Sequence, residues 1–339
     1  MHACTIPTDE PESDGTAEWD STTIVIVEID GGIGYTYCDS AAAELIRSKL
    51  AGLVQEDVRR SWLDMQKAVR NAGRPGIAAC AIAAVDQALW DRKARQLGVP
   101  LVDLLGAAHD DVPVYGSGGF CSYSNDRLQE QLAGWVEQGI PRVKMKLGRD
   151  PGRDPARLDA AREAIGDAAE LFVDANGAFT AKKALGWADR YALAWNVSWF
   201  EEPVSSGDLA GMRFVRERAP LEVAAGEYAY TPEDVRNIVG CVDVLQLDVT
   251  RCLGITGVLA VANAFAVDVS AHCAPAISAH VFCAVGRRRH LEYFHDHTRI
   301  ESMLFDGLPE LAGGALRPDR SRPGNGLELR RDELRRWAA

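Results

Sequence analysis

Apolar positions along the chain change rhythm near residue 110. Before it, TIVIVEI (23–29) is β-branched and runs into Gly31-Gly32, which predicts a strand and a turn. From 41 to about 105 the spacing becomes helical. IAACAIAAVDQALWDRKARQLG predicts one apolar helix, stopped by Gly98 and Pro100. Residues 1–22 are polar and rich in Pro, Asp, Glu and Thr, so they read as a mobile loop. Residues 1–108 thus predict a small α+β domain.

Beyond 112, short apolar runs alternate with amphipathic stretches. The strand candidates are VPVYGS (112–117), RVKMKL (142–147), LFVDA (171–175), SWFEE (198–202), EVAAGE (222–227), DVLQLD (243–248), DVSAH (268–272) and HLEYF (290–294). Helical stretches lie between them, with starts at Thr180 and Thr231-Pro232. Strands each followed by a helix, save the last, predict an α/β fold: a closed parallel (β/α)8 barrel over 109–300. A doubly wound nucleotide-binding sheet needs fewer strands and a glycine-rich first turn, and no G-x-G-x-x-G follows any strand here. The segment 301–339 carries Pro and Gly and a basic amphipathic finish, and is expected to pack back on the first domain.

A chain of 339 residues suits a barrel with a smaller companion domain. With 47% hydrophobic and 25% charged residues, disorder, fibrous repeats and a disulfide scaffold are disfavoured. The net charge of −12 makes a poor nucleic-acid binder, and Arg287-Arg288-Arg289 reads as a solvated helix end. None of the eight cysteines forms a C-x-x-C pair, so zinc and thioredoxin-like sites lack their spacing. The N-terminus has no basic start and no apolar core of a leader, and no run is long enough to span a membrane. A cytoplasmic protein is expected.

Barrel active sites sit at the carboxyl ends of the strands. Here those ends carry Lys144 and Lys146, Asp174, Glu201-Glu202, Glu227, Asp248, His272 and, on the eighth strand, Glu292. Asp174, Glu201 and Glu227 are 27 and 26 residues apart, about one βα unit each, so three carboxylates should face one mouth. Alone, each would as readily cap the next helix. Together they repel unless a cation neutralises them, and an all-oxygen set with open positions suits Mg²⁺, with Mn²⁺ second. Lys144 and Lys146, at i and i+2, share one face of their strand and should point to the lumen or its rim, where either could serve as a base. Asp248 beside His272 would orient the imidazole.

At these residues the chain resembles the enolase superfamily, in its mandelate racemase/muconate lactonizing enzyme branch. The segments that carry the resemblance are VKMKLG (143–148), FVDANGAF (172–179), WFEEPV (199–204), AAGEY (224–228), LQLDVTRCLGITG (245–257), SAHCAP (270–275) and HLEYF (290–294). The resemblance implies a modified TIM barrel under an α+β capping domain, and Mg²⁺ on Asp174, Glu201 and Glu227. It implies a Lys or His base with the metal stabilising an ene-diolate. By that pattern Lys146 serves one face of the substrate and His272, held by Asp248, the other. Lys144 would polarise the substrate carboxylate, Glu292 would hydrogen-bond the developing oxyanion, and Asn176 would help bind substrate. The chain departs from the pattern in three ways. The cap would lack its usual first strand, the segment between Asp248 and His272 is short, and Leu253-Gly254 stands where many relatives have paired glycines.

The expected reaction is abstraction of the proton α to a carboxylate, most simply the dehydration of an acid sugar, with His272 protonating the leaving hydroxyl. Racemisation or epimerisation of a 2-hydroxy acid is the alternative, and a catalytically decayed carboxylate binder stands apart from both. Cycloisomerisation is disfavoured, because the sixth strand ends in Asp248 rather than a lysine. Specificity is expected from Thr5–Ser21 and Ser117–Ser124. The partners are a small carboxylate and further copies of the chain, as a dimer or octamer, with no nucleic acid and no membrane.

Overall fold

The computed structural model describes residues 1–337. Residues 1–22, expected as a loop, instead build most of a β-hairpin. Strand β1 (His2–Ser13) pairs antiparallel with β2 (Glu18–Ile29), and β2 pairs with β3 (Gly32–Tyr37). The cap therefore has a three-stranded sheet, and the expected lack of a first strand does not hold. Cys4 and Ile6 point into the core while Thr5 and Pro7 face out, the period-two pattern of an edge strand with one buried face.

The helix Ile77–Leu97 packs across this sheet and ends at Gly98, whose φ of +67° is the left-handed conformation a helix C-terminus favours. Its small residues permit close approach: a Cβ on Gly34 would lie 2.2 Å from the carbonyl oxygen of Ala88's neighbour in the preceding turn, Ala84. Apolar positions on its other face pack against Trp62, Met65 and Leu253, which joins cap to barrel.

The barrel strands are β4 (Val112–Gly118), β5 (Arg142–Lys146), β6 (Glu170–Asp174), β7 (Val197–Glu201), β8 (Glu222–Ala225), β9 (Val244–Leu247), β10 (Asp268–Ala271) and β11 (Arg288–Phe294). All neighbours are parallel, and β11 closes on β4 through Glu292 opposite Tyr115 and Phe294 opposite Ser117. Each predicted strand is present. The eighth is also followed by a helix, His295–Leu304. The predicted start at Thr231 is a full capping box, its hydroxyl on the Asp234 amide and the Asp234 carboxylate on the Thr231 amide.

Arg287–Arg289 is not a helix end. The run enters β11, where Arg287 pairs with Asp268 and Arg289 with Glu222 and Asp268. Tyr115, Phe172, Trp199, Ala224 and Val244 fill the lumen as an apolar layer, so the barrel is plugged beneath its mouth. The C-terminal segment contacts both domains. Asn325 donates its amide to Asp91 and Arg331 pairs with Glu28 in the cap, while the strand Ala315–Arg317 pairs with β4. The eight cysteines carry free thiols.

Candidate active site

Parallel register sets the site. Asp174 lies beside Lys146 on one side and Glu201 on the other. Glu227 follows β8 by two residues, and His272 follows β10, its amide bonded to the carbonyl of Leu247. The shortened segment before His272 leaves it in place, because β9 and β10 pair in register from Asp268–Val244 to Ala271–Leu247. The unusual Leu253 does carry a backbone cost. It sits at φ +57°, a conformation glycine adopts freely, while its side chain is fully buried against the cap.

Oxygen atoms of Asp174, Glu201 and Glu227 lie within 4.8 Å of one another, all in buried side chains. Lys146 Nζ donates to Asp174 at 2.5 Å. Lys144, one pleat deeper, is enclosed by Glu201 at 2.5 Å, Glu292 at 2.8 Å and Asp174 at 3.5 Å, with its ammonium 5.2 Å above the Tyr115 ring. His272 Nε2 faces Glu227 at 3.1 Å, while Nδ1 meets Asp248 at 2.7 Å. Arg251 pairs with Glu227 at 3.3 Å and with Asp248 at 3.4 Å.

Electrostatics follow from this crowding. Six buried carboxyls (Asp174, Glu201, Glu202, Glu227, Asp248, Glu292) face Lys144, Lys146, Arg251 and one histidine. Burial, then the Asp174 charge, pushes Glu201 up to about 8 despite Lys144. Glu202 is raised well above the carboxylate range by burial and by Glu227. Burial opposes charge at Glu227 too, but His272 and Arg251 outweigh it and hold that carboxyl low. At His272 burial is likewise overcome, by Cys273, Glu227, Glu292 and the bond to Asp248, so its pKa is raised. At Glu201 and Glu202 burial and the neighbouring carboxylates together outweigh the protein's own cations, which leaves a local surplus of negative charge. Three convergent carboxylates in that surplus fit a hard divalent cation.

A cavity of about 460 Å³ opens above these groups. Lys146, Asn176, Glu227, Arg251, His272 and Glu292 line it from the barrel, and Asp14, Ala17, Trp19, Ser21 and Tyr37 are among those lining it from the cap. Of the two expected specificity segments, Thr5–Ser21 contributes. Ser117–Ser124 does not reach the cavity, although Phe120 packs behind Trp19 with ring centroids 5.4 Å apart. The hairpin tip is seated on the barrel. Thr16 Oγ1 donates to the carbonyl of Asn176 at 3.1 Å, Arg149 holds the carbonyl of Ala17 at 3.2 Å and pairs with Glu18, and the Cys121 amide donates to Ser13.

Two residues with expected roles find their partners within the protein. Lys144 is fully buried beneath the cavity and does not line it, so its contacts are with carboxylates of the protein. Glu292 accepts from Ser117 Oγ at 2.5 Å and from Cys273 Sγ at 3.2 Å. Burial would raise its carboxyl, but Lys144 and His272 hold it far below the usual range. Arg251 escaped the sequence reading. The one available signal was its position three residues after Asp248.

A barrel with these carboxylates at its strand ends and a mixed cap above defines a superfamily, and family profiles place the chain within it. The profile described as enolase C-terminal domain-like matches residues 127–333, and the mandelate racemase/muconate lactonizing enzyme N-terminal domain matches 9–106. The protein belongs to this family. Among individual proteins, it is 32% identical to 3,6-anhydro-alpha-L-galactonate cycloisomerase of Streptomyces coelicolor, over 95% of this chain and 92% of that one. It is 31% identical to L-talarate/galactarate dehydratase of Salmonella typhimurium, over 93% of this chain and 82% of the relative. A structure of that dehydratase liganded with Mg and L-lyxarohydroxamate superposes with a TM-score of 0.90, covering 100% of this chain and 91% of the other at 28% identity. A mandelate racemase/muconate lactonizing enzyme-like protein from Rubrobacter xylanophilus superposes with a TM-score of 0.97 at 55% identity, covering 100% of this chain and 98% of that one.

Proposed function

We propose that this protein removes the proton α to the carboxylate of a small hydroxy acid and expels the neighbouring hydroxyl, as an acid-sugar dehydratase. The observation that carries the reading is the placement of two proton-transfer groups around three clustered carboxylates. Lys146 enters from β5 and His272 from the end of β10, with β11 and β4 between those strands. The Salmonella relative, an L-talarate/galactarate dehydratase, supports it.

Asp174, Glu201 and Glu227 would hold Mg²⁺, or Mn²⁺, and the relative's bound Mg supports that choice. When bound, the cation offsets the charge that grows on the substrate carboxylate as the proton leaves. Lys146, once it has given a proton to solvent, takes the α-proton at Nζ on one face. His272, oriented by Asp248, gives the proton at Nε2 to the departing 3-hydroxyl, which leaves as water, and the resulting enol becomes a 2-keto acid. Lys144 and Glu292 form a buried ion pair that fixes Glu201 and the back of the site. Asn176 would present its side-chain Oδ1 to the substrate.

Cycloisomerisation, set aside on the sequence because of Asp248, returns as a second reading, since a relative of that name is 32% identical over 95% of the chain. Epimerisation would use the same two groups as opposed bases. We also keep a cytoplasmic homo-oligomer, dimer or octamer, on the family pattern. Among the described residues no helix is long and apolar enough to cross a membrane.

The test is a panel of acid sugars with Mg²⁺, followed by 2-keto product and by α-proton exchange in D₂O. Product with exchange supports dehydration, and exchange without product moves the assignment to an epimerase. Isomerised product without loss of water moves it to a cycloisomerase. Neither exchange nor product on any acid would return the chain to a non-catalytic binder.

A further inference from the structure

The residue after His272 lines the cavity and takes no part in the proton transfers above. Cys273 is buried, and its backbone is held at φ +49°, with Ala274 following at φ +46°. Both lie in the left-handed region that disfavours any residue with a Cβ. The turn is locked in place. The Cys273 carbonyl accepts from Ser278 Oγ at 2.9 Å, and the Ala274 amide donates to His297 Nδ1 at 3.2 Å. Held this way, Cys273 Sγ stands 3.4 Å from His272 Nε2 and 3.2 Å from Glu292 Oε2, and those two atoms are 3.5 Å apart.

This triangle has the edges of a zinc site. A tetrahedral ion about 2.3 Å from sulfur and about 2.05 Å from nitrogen and oxygen separates S from N or O by about 3.6 Å, and N from O by about 3.3 Å. Each edge here lies within a few tenths of an ångström of that spacing. The ligands are also braced from behind. Asp248 fixes His272 Nδ1 at 2.7 Å, which leaves Nε2 to coordinate. Ser117 Oγ and Lys144 Nζ hold Glu292 Oε1 at 2.5 and 2.8 Å, which leaves Oε2. All three residues line the cavity, so a fourth position can open toward it. Glu227 Oε2 competes for Nε2 at 3.1 Å, but Mg²⁺ on the three carboxylates would engage it. Sulfur and imidazole suit Zn²⁺ or Cd²⁺, whereas the all-oxygen set of Asp174, Glu201 and Glu227 suits Mg²⁺.

We propose that His272, Cys273 and Glu292 form a second, soft-metal site that takes Zn²⁺ or Cd²⁺ and thereby stops the reaction. The cation gains a thiolate, an imidazole and a carboxylate. It replaces the Sγ proton now donated to Glu292 and any proton on Nε2, and both pass to solvent. A coordinated thiol ionises outright, which offsets the burial and the Glu292 charge that raise the free Cys273 thiol. With Nε2 taken up by the metal, His272 has no atom left to protonate a departing hydroxyl. The site stands on its own geometry, and only its inhibitory effect rests on the reaction proposed above.

The experiment titrates the Mg²⁺-saturated protein with Cd²⁺ and follows the ultraviolet charge-transfer band of a cadmium thiolate. Cys38, the other thiol on the cavity wall, is removed as Cys38→Ala, and the band should survive. Adding Cys273→Ala should abolish the band and weaken Cd²⁺ and Zn²⁺ binding about a hundredfold. Zn²⁺ should stop turnover, excess Mg²⁺ should not restore it, and chelation followed by Mg²⁺ should. On the unsubstituted chain, anomalous diffraction from crystals grown with Mg²⁺ and soaked in Cd²⁺ should place a peak between Sγ, Nε2 and Oε2, whatever the variants' folding. A peak confined to the three carboxylates, no peak at all, a band unmoved by Cys273→Ala, or zinc inhibition relieved by Mg²⁺ would overturn the proposal. Cd²⁺ bound at Cys273 with turnover undiminished would leave the site standing and count against His272 as the acid.

Discussion

Nδ1 of His272 stands 2.7 Å from Oδ2 of Asp248, on the neighbouring strand end. The same carboxylate accepts from the Thr250 amide and hydroxyl through Oδ1, at 2.6 and 2.7 Å, so its own orientation is fixed. A carboxylate locked in this way leaves Nε2 as the ring atom that faces substrate. Asp248→Asn should lower kcat on the order of 10²-fold with little change in metal affinity. A variant with wild-type kcat would show that the pair is structural.

The two proton-transfer groups should separate by face. For a dehydratase, Lys146→Ala should lose α-proton exchange, while His272→Asn should retain exchange and form little product. For an epimerase, each variant should exchange one enantiomer only. The readout is deuterium incorporation by NMR, and an inert His272→Asn substitution would refute the two-face arrangement.

Chelation should abolish turnover, and Mg²⁺ or Mn²⁺ should restore it. Because the cation relieves repulsion among Asp174, Glu201 and Glu227, it should also raise the melting temperature. At a hundredfold excess over Kd the linkage is worth about 2.7 kcal/mol. Glu201→Gln removes one charged ligand and should weaken that shift. Full activity in a chelator-treated sample would remove the metal from the assignment.

Stability should fall as pH rises through the neutral range, in part because of Glu301. It is buried, accepts from Tyr35 Oη at 2.6 Å and from the Ala276 amide at 2.9 Å, and burial pushes its pKa from 4.5 up to about 8. A carboxyl raised in the folded state contributes stability that is complete below pH 4.5 and is lost between there and pH 8, with a limiting slope of about 1.4 kcal/mol per pH unit. Glu301→Gln should flatten that part of the profile in urea melts from pH 5 to 9. An unchanged slope would exclude Glu301 as its source.

Gly15 at the hairpin tip touches the barrel backbone. A Cβ there would lie 2.2 Å from the carbonyl oxygen of Ala175 and 2.8 Å from that of Leu147. Gly15→Ala should therefore lift the tip, at a cost of about 1–3 kcal/mol if the contact is kept. KM should rise several-fold with a smaller change in kcat, and unaltered kinetics and melting would show that the tip does not need to seat.

The barrel was legible because each of its strands is buried on both faces, so β-branched and apolar runs such as FVDA had to appear between helices, with chemistry at their ends. The hairpin was hidden for the opposite reason. Strand β1 pairs with one neighbour only, so past Ile6 its residues tolerate Pro7, Thr8, Glu10 and Pro11, and only Cys4 and Ile6 carry the alternation. Period two placed Lys144 and Lys146 on one face but said nothing of depth, and depth separates the lysine that lines the cavity from the one beneath it. Arg251 reaches Glu227 by folding back from a turn, a contact with no local signature. Similarly, the pairing of Glu12 with Asp296 joins opposite ends of the chain.

The tight seat of Gly15 bears on how such a protein can diverge. A position whose Cβ would meet two backbone carbonyls cannot drift by side-chain substitution alone, so the hairpin tip is a fixed hinge point in sequence space. Its neighbours Asp14, Ala17 and Trp19 project into the cavity from that fixed frame and carry no bond to Lys146 or His272. Descendants of this chain can therefore exchange one acid for another through those positions while inheriting the proton-transfer chemistry intact.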